Sequence, residues 1–509
     1  MGYIQSGYIT NGEDFVQEKQ LGFSVDIDGD VAVAGAPSEY TKFAGNSGVA
    51  FVYINSSGSW IQEQKLVPDS RVNGDRFGSS VAIHSGVILV SSNWTEVSPA
   101  VFSGRVYVFT KTSGVWTQKS TIESSTPIHN DRYGWGLSYD GEDLIVGARA
   151  TTVSGQSFAG KIYFYERSGD YNFVNEQTST RPDELSTNSD QFGQVVSIKN
   201  NKAIAGSSSA YINGSGGIGA VWFFAKETGV WSYKMIIHAE AQQQADYFGN
   251  SVSIDNGVAA VGARSKRPVG GATDTGTVDV YREDGENNWI FEQEVYPSDG
   301  ENADYFGYSC SVNGDNLVVG SRYDDDSGNV SGSTYTYKRS NNTWGDEQKL
   351  TGLPIYANRW LGESIKTDGQ TYIAGGPGSY FAAAVPFDGS GAVYFFSQLP
   401  TSTAGMNNFS YGIGDLEARK GQNFDVAITS FHAHKIYQGQ YDSNRPFKIY
   451  GNSWIQDSNY HIHFYADSER IHRIAHYVST EASGYNVPII GSGVGYEMSG
   501  SFSYKIVGG

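Results

Sequence analysis

The chain has 509 residues, of which 17% are charged, and it is rich in glycine (63) and tyrosine (34). Few charges and many turn-forming residues are typical of β-rich folds, and the absence of a three-residue glycine period excludes collagen. The formal net charge of −19, with scattered basic residues, argues against a nucleic-acid partner, and no apolar stretch is long enough to predict a membrane-spanning helix.

The N-terminus and the cysteine content limit the possible folds and locations. The first residues, MGYIQSGYITNG, lack the basic and apolar regions of a secretory signal, so we expect no classical export signal. A single cysteine, Cys310, excludes an internal disulfide, and stability must therefore come from packing.

An aromatic residue or leucine followed by glycine recurs seven times. These aromatic–glycine steps begin at Leu21, Phe77, Tyr133, Phe192, Phe248, Phe306 and Leu361, and they lie 55 to 59 residues apart. Each is followed by two strand-like runs joined by a tight turn, a third run such as GVAFVY, and, in the first six copies, a fourth such as WIQEQKL. Four short strands per repeat predict propeller blades. The sequence thus predicts an all-β fold with a seven-bladed β-propeller over residues 1–400.

The seventh copy lacks a fourth strand of its own. Residues 15–21 read FVQEKQL, which is similar to WIQEQKL at Trp60. We therefore expect the N-terminal strand, at residues 15–21, to complete the last blade, which would leave no exposed sheet edge.

Three recurring residue types have structural interpretations. The glycine of each step predicts a close approach of two blades, with its aromatic neighbour between them. The tryptophans that begin the fourth strands are predicted to pack one blade on the next. An aspartate lies three residues before the glycine in five copies, at Asp75, Asp131, Asp190, Asp246 and Asp304. This position favours bonds to backbone N–H groups over metal binding.

These repeats resemble the FG-GAP repeats of integrin α-subunit propellers and of many bacterial surface proteins. The matching motifs are Phe77-Gly78 and Phe248-Gly249 for the FG part, and Gly35-Ala36-Pro37, Gly147-Ala148-Arg149 and Gly262-Ala263-Arg264 for the GAP part. The resemblance covers residues 15–396 and implies a propeller whose loops bind partners. Family members often carry a calcium loop, but the corresponding turns here are too short to surround Ca²⁺. We therefore expect neither blade calcium nor another cofactor.

Propeller topology separates the connections into two sets. The turns between strands 1 and 2 and between strands 3 and 4 lie on one face, and the 2–3 and 4–1 loops lie on the other. The second set is longer and differs between blades, as recognition loops usually do. Its aromatic and acidic residues are the candidate ligand-binding residues, namely Tyr40, Trp94, Tyr211, Tyr323, Asp324 and Tyr380. They suit a sugar or protein ligand, and capping of the propeller rim is the alternative.

Apparent enzyme motifs lack the structural context that they require. GSGGIG at residues 214–219 precedes a strand instead of opening a helix, and GxSxG, HExxH and CxxC motifs are absent. We expect no catalytic activity. Acidic residues in the loops leave a polysaccharide-acting propeller enzyme as an alternative.

Residues 401–509 form a separate predicted module, in which the repeat stops and six of the nine histidines occur. Strand-like segments predict a small, mostly β domain, with a short helix over residues 467–479. His432 with His434, and His461 with His463, have the spacing of metal ligands on a strand. Ordinary surface histidines are the favoured interpretation, so no metal site is predicted.

Together these features predict a non-enzymatic recognition or adhesion protein. We expect it to bind a host surface glycan or protein through its loops, and other structural subunits through residues 401–509, while homo-oligomerisation is left open. The missing export signal favours a virion component, such as a phage tail fibre or receptor-binding protein, on a virion or at an extracellular surface. A bacterial surface adhesin exported without a classical signal is the alternative.

Overall fold

A computed structural model of the chain consists of strands, turns and loops. It describes residues 3–9, 20–38, 47–56, 59–70, 72–169, 171–182, 188–212, 217–239, 246–352, 357–378 and 391–398, and the backbone of the strands between residues 423 and 507. Within these ranges no helix is long and apolar enough to cross a membrane. The chain divides into two compact units, Met1–Leu399 and Pro400–Gly509.

The chain begins with β1 (Tyr3–Ile9), and six blades follow, each a four-stranded antiparallel sheet whose strands pair in sequence order. Blades 1 to 3 comprise β2 (Ser24–Asp28), β3 (Val31–Ala36), β4 (Val49–Ser56) and β5 (Ser59–Leu66); β6 (Phe77–His84), β7 (Val87–Ser92), β8 (Arg105–Thr112) and β9 (Val115–Ile122); and β10 (Gly136–Tyr139), β11 (Asp143–Ala148), β12 (Lys161–Ser168) and β13 (Asn172–Ser179). Blades 4 to 6 comprise β14 (Val195–Lys199), β15 (Lys202–Ser207), β16 (Ala220–Glu227) and β17 (Val230–His238); β18 (Phe248–Asp255), β19 (Val258–Ala263), β20 (Thr277–Glu283) and β21 (Trp289–Val295); and β22 (Phe306–Asn313), β23 (Asn316–Ser321), β24 (Ser333–Ser340) and β25 (Thr343–Leu350).

The seventh blade is completed by a strand from the beginning of the chain. It contains β26 (Ser364–Thr367), β27 (Thr371–Gly376) and β28 (Ala392–Gln398), and β1 pairs antiparallel with β28 as the outer strand. Leu21 also forms a bridge with Gly391, which joins the first blade to the seventh. The predicted seven-bladed propeller closed by an N-terminal strand is therefore confirmed.

The closing strand lies earlier in the chain than predicted. The assignment of residues 15–21 to this position is wrong, because Tyr3–Ile9 already occupies the edge of β28. Residues 15–19 themselves lie outside the described residues. The Tyr3 ring packs against Tyr372 with centroids 5.1 Å apart, and β1 carries a bulge where the outer strands of the other blades carry one.

Aromatic rings fill the spaces between blades. Trp60 of the first blade stacks on Phe395 of the seventh at 4.3 Å, and Trp231 of the fourth blade stacks on Phe164 of the third at 4.6 Å. The seven aromatic or leucine residues of the steps are all at most 2% exposed. The predicted packing roles of both sets are therefore confirmed.

The glycines of the repeat lie where the backbones of two blades meet. A Cβ added to Gly35 would lie 2.0 Å from the carbonyl oxygen of Gly78 in the next blade. At the ring closure, a Cβ added to Gly375 would lie 1.8 Å from the carbonyl oxygen of Gly22. These distances leave no room for a side chain, which confirms the predicted close approach.

The recurring aspartates bind the loop backbone. Asp75 and Asp304 each accept a hydrogen bond from the N–H group three residues earlier, at 3.2 and 2.7 Å, and Asp190 accepts one from the Tyr211 N–H at 3.0 Å. Their predicted structural role is confirmed at these three positions. Among the residues that the structure describes, no group of three or more His, Cys, Asp or Glu could hold a metal ion.

We expect Asp131 to make the stability of the propeller depend on pH. It is completely buried, and burial raises the pKa of its carboxyl group to about 7. Because this pKa lies above the unfolded value of about 4, the stabilisation present below pH 4 is lost as the pH rises through 7. Asp131→Asn should therefore stabilise the protein at pH 8 by about 1 kcal/mol or more and change little at pH 4.

Urea unfolding at both pH values checks this expectation. Asp69→Asn, which removes an exposed carboxylate, is the control and should leave the free energy of unfolding unchanged at both pH values. Equal effects of Asp131→Asn on stability at pH 4 and pH 8 would contradict the raised pKa of Asp131.

The C-terminal unit is a seven-stranded antiparallel sheet. Its strands are β29 (Asn423–Tyr437), β30 (Gln440–Tyr441), β31 (Tyr450–Gln456), β32 (Asn459–Tyr465), β33 (Arg473–Ser479), β34 (Ser483–Gly493) and β35 (Tyr496–Val507). The sheet order is β33-β32-β31-β29-β35-β34, with β30 paired to β29. The predicted helix is wrong over 473–479, which form β33, and residues 467–472 lie outside the described residues. The paired histidines lie on strands as predicted, His432 and His434 on β29 and His461 and His463 on β32.

Candidate functional site

The two ends of the propeller axis are formed by different connections. The end formed by the 2–3 and 4–1 loops, here called the loop face, contains a cavity of about 490 Å³. The other end, here called the turn face, is formed by the 1–2 turns around a cavity of about 260 Å³. On the turn face, Asp26 and Asp28 accept hydrogen bonds from Ile83 N and Ser85 N of the next blade, both at 2.8 Å. These carboxylates thus link neighbouring blades.

Every blade contributes three positions to the loop face, here called the rim positions. The first precedes each aromatic–glycine step and has φ between 49° and 60° in all seven blades: Gln20, Arg76, Arg132, Gln191, Tyr247, Tyr305 and Trp360. The second follows the glycine and lines the 490 Å³ cavity in all seven blades: Phe23, Ser79, Trp135, Gln194, Asn250, Tyr308 and Glu363. The third follows the second strand: Pro37, Asn93, Arg149, Ser208, Arg264, Arg322 and Pro377. A repeated backbone therefore presents side chains that differ from blade to blade.

In blades 2 and 3 the rim positions place arginines against aromatic rings. The guanidinium carbons of Arg76 and Arg132 lie 4.3 and 3.7 Å from the centre of the Trp94 ring. That of Arg149 lies 3.3 Å from the centre of the Trp135 ring. Cation–π contact of this kind orients an arginine without neutralising its charge. We call Arg76, Arg132 and Arg149 the arginine triad.

Blades 6 and 7 repeat the arginine–aromatic arrangement with an added carboxylate. Arg322 lies over the rings of Tyr308, Tyr323 and Trp360, at 4.2 to 4.7 Å from their centres. Its Nη1 donates to Glu363 at 2.5 Å, and burial raises the pKa of Glu363 while Arg322 lowers it. This arginine is therefore charge-compensated within the protein.

The loop face includes two of the residues predicted from the sequence, Trp94 and Tyr323. Trp94 is half-buried between the triad arginines and packs on Phe102, and Tyr323 contacts Tyr305 at 5.1 Å. The two lie in different blades, each within a cluster of its own.

The other predicted residues have different surroundings. Tyr211 is 36% exposed, and its carbonyl oxygen accepts a bond from Arg181 at 2.5 Å. Asp324 is only 1% exposed and pairs with Lys349 at 2.7 Å and with the Tyr335 hydroxyl at 2.9 Å, so its carboxylate is used inside the protein. Tyr40 and Tyr380 lie outside the described residues. Ligand contact by any of the six stays a prediction.

Sequence reasoning missed the arginines at the rim positions. They are isolated in the chain, with Arg132 and Arg149 17 residues apart, and the overall charge of −19 conceals them. A positional signal was available, because the residue before each step varies between Gln, Arg, Tyr and Trp, while the step is always an aromatic residue or leucine followed by glycine.

Comparison with known families agrees with this architecture. The FG-GAP repeat family matches residues 60–109, 231–281 and 289–337. Each segment runs from the outer strand of one blade into the third strand of the next. The propeller therefore contains FG-GAP repeats at these three segments, and the same strand pattern recurs in the other blades. A search of curated proteins finds no match.

Proposed function

We propose that this seven-bladed FG-GAP propeller is a non-catalytic recognition module that binds a surface glycan or a surface protein through its loop face. The observation that carries the proposal is the set of rim positions, where an invariant backbone presents different side chains around a 490 Å³ cavity. Cavities of this size and rigid scaffolds with variable loops are typical of binding sites.

The charges of the cavity favour recognition over catalysis. Among its described lining residues the single carboxylate is Glu363, which pairs with Arg322. Glycoside hydrolysis ordinarily needs two carboxyl groups that flank the scissile bond. A binding function therefore accounts for this lining better than a polysaccharide-acting enzyme does.

We extend the proposal to location and assembly. A ligand on a surface requires the loop face to be exposed, on a virion or at an extracellular surface. The C-terminal sheet, with its own strands and compact contacts, suits attachment to other structural subunits. A tail fibre, a receptor-binding protein and a bacterial adhesin share this requirement.

Alanine substitution of the two aromatic anchors tests the proposal. Trp94→Ala removes the ring that carries two arginines, and Tyr323→Ala removes one of three rings around Arg322. On a glycan array and a panel of cell-surface proteins, we expect at least one of these variants to lose about tenfold or more in affinity for the ligand of the wild type.

The matched control is Tyr171→Ala, which removes a 40% exposed aromatic ring from a turn between strands 3 and 4. It should bind like the wild type. Unchanged binding by both loop-face variants would refute the assignment of the loop face.

A further inference from the structure

The geometry points to an anion-binding site at the arginine triad, which receives the carboxylate or sulfate group of an acidic saccharide. This inference rests on the proposed recognition function and specifies its ligand class. The site lies on the part of the loop face that blades 2 and 3 form. It adjoins the 490 Å³ cavity, whose wall includes Arg76 and Trp135.

The triad is held in place by aromatic rings. Arg132 lies against both Trp94 and Phe102, at 3.7 and 4.9 Å from the ring centres. Arg149 lies against Trp135 and donates from Nη1 to the Gln191 side-chain oxygen at 2.8 Å. Arginines fixed in this way lose little conformational freedom when they bind a ligand.

No described carboxylate neutralises the charges of the triad. In the described parts of the chain, no carboxylate lies within 4 Å of a nitrogen of Arg76, Arg132 or Arg149, whereas Arg322 on the same face pairs with Glu363. Burial, together with the charge of Arg132, lowers the pKa of Arg149 to about 10, and burial with Arg76 lowers that of Arg132. Neighbouring like charges repel in the free protein, and a bound anion would relieve this repulsion.

Hydrogen bonding is also incomplete at the triad. Arg132 Nη1, Arg149 Nε and Trp94 Nε1 are buried atoms without an acceptor among the described residues. A buried donor without an acceptor destabilises the free protein, and an acceptor supplied by a ligand would remove that cost. This second observation is independent of the charges.

The adjoining cavity favours a saccharide over an acidic peptide. Its lining in blades 2 to 4 includes hydroxyl and amide groups, from Ser79, Asn93 and Gln194. Such groups match sugar hydroxyls, and recognition of an acidic peptide by the arginines is the alternative that a triglutamate probe tests. A saccharide would place its acidic group on the triad and its ring hydroxyls toward the cavity.

The test combines matched probes with matched variants of the full chain. The probes are trigalacturonate, a heparin-derived tetrasaccharide, neutral maltotriose and triglutamate, titrated calorimetrically at low and high NaCl. The test variant is Arg132→Gln with Arg149→Gln. The control is Lys119→Gln with Arg267→Gln, which removes two exposed charges, the second of them on the loop face.

We expect the wild type to bind at least one acidic saccharide more tightly than maltotriose and triglutamate, and to bind it more weakly at high NaCl. The test variant should lose about tenfold or more in affinity, and the control should not. Without ligand, the test variant should melt at the same temperature as the wild type or higher, because repulsion is removed. Sodium sulfate should raise the melting temperature of the wild type more than sodium chloride of equal ionic strength does, and this difference should be smaller in the test variant, where only the general stabilisation by sulfate is left.

Three results would overturn the inference. They are equal binding of acidic saccharides by the test variant and the wild type, tighter binding of triglutamate than of any saccharide, and the lack of acidic-saccharide binding together with an equal sulfate effect in the wild type and the test variant. If a neutral glycan or a protein binds instead, and Tyr323→Ala weakens that binding, the proposed recognition function stands while the acidic ligand class is wrong.

Discussion

Deletion of residues 1–9 is expected to destabilise the propeller more than the loss of any single glycine at a contact between blades. The deletion removes β1 and leaves β28 as an open sheet edge. It also removes the rings of Tyr3 and Tyr8. Tyr372, on which Tyr3 packs, and Tyr394, on which Tyr8 packs at 4.9 Å, would become exposed. We expect the free energy of unfolding to fall by at least about 4 kcal/mol, from two lost side-chain burials and the lost hydrogen bonds.

Hydrogen bonds of Tyr3 explain why this short strand matters. Its N–H donates to the Gln348 side-chain oxygen at 2.7 Å, and its carbonyl oxygen accepts from the Gln348 side-chain nitrogen at 2.8 Å. In another blade, Gln64 makes the same pair of bonds with the backbone of Trp116. Tyr3 therefore takes the place that Trp116 has in the outer strand of the second blade.

Urea unfolding followed by tryptophan fluorescence, and gel filtration at several concentrations, measure the effect of the deletion. We expect a lower midpoint and self-association through the open edge. A synthetic peptide of residues 1–9 should partly restore the midpoint, whereas deletion of residues 1–2 alone should be harmless. A deletion variant that is monomeric and as stable as the wild type would show that β1 does not close the ring.

The architecture could be predicted from the sequence because its physical causes are local. Alternating strand patterns, tight turns and a glycine at each contact between blades all recur at a constant interval. Sequence similarity alone misplaces the closing strand, because residues 15–21 resemble a fourth strand without occupying the edge of β28. Trp60 and Trp344 each lie 17 residues before the next aromatic–glycine step. The residue 17 positions before the first step, which begins at Leu21, is Ile4, the neighbour of Tyr3.

The candidate site was harder to predict because it is assembled from residues far apart in the chain. Trp94 could be found as an aromatic residue in a loop, but the arginines that contact it, Arg76 and Arg132, come from two other loops. Asp324 illustrates the opposite case, since an acidic loop residue can be neutralised by a lysine from another strand, here Lys349. Composition gives no information on either pairing.

The helix predicted over residues 467–479 shows where hydrophobic periodicity is ambiguous. Ile474 and Val478 are four residues apart, a spacing that places two residues on one face of a helix and also on one face of a strand. Pairing of β33 with β32 selects the strand, and a single short segment carries no information about that partner.

Substitution of Gly147 by alanine is expected to give the second-largest loss of stability. A Cβ at this position would lie 2.0 Å from the carbonyl oxygen of Gly193 in the next blade. Gly147 lies in β11, the second strand of its blade, and Gly193 lies directly before β14, the first strand of the next blade. Neither backbone can move without separating the blades, so we expect a loss of at least about 3 kcal/mol.

Gly345→Ala is the matched control, because a Cβ there would meet nothing within 4 Å. Neither glycine has the left-handed backbone that would itself penalise alanine, so the pair isolates the steric contact between blades. Urea unfolding should give a control close to the wild type and a greatly destabilised Gly147→Ala. If the two variants were equally stable, the blades would have room to separate at this contact, and the glycine of the repeat would need an explanation other than close packing.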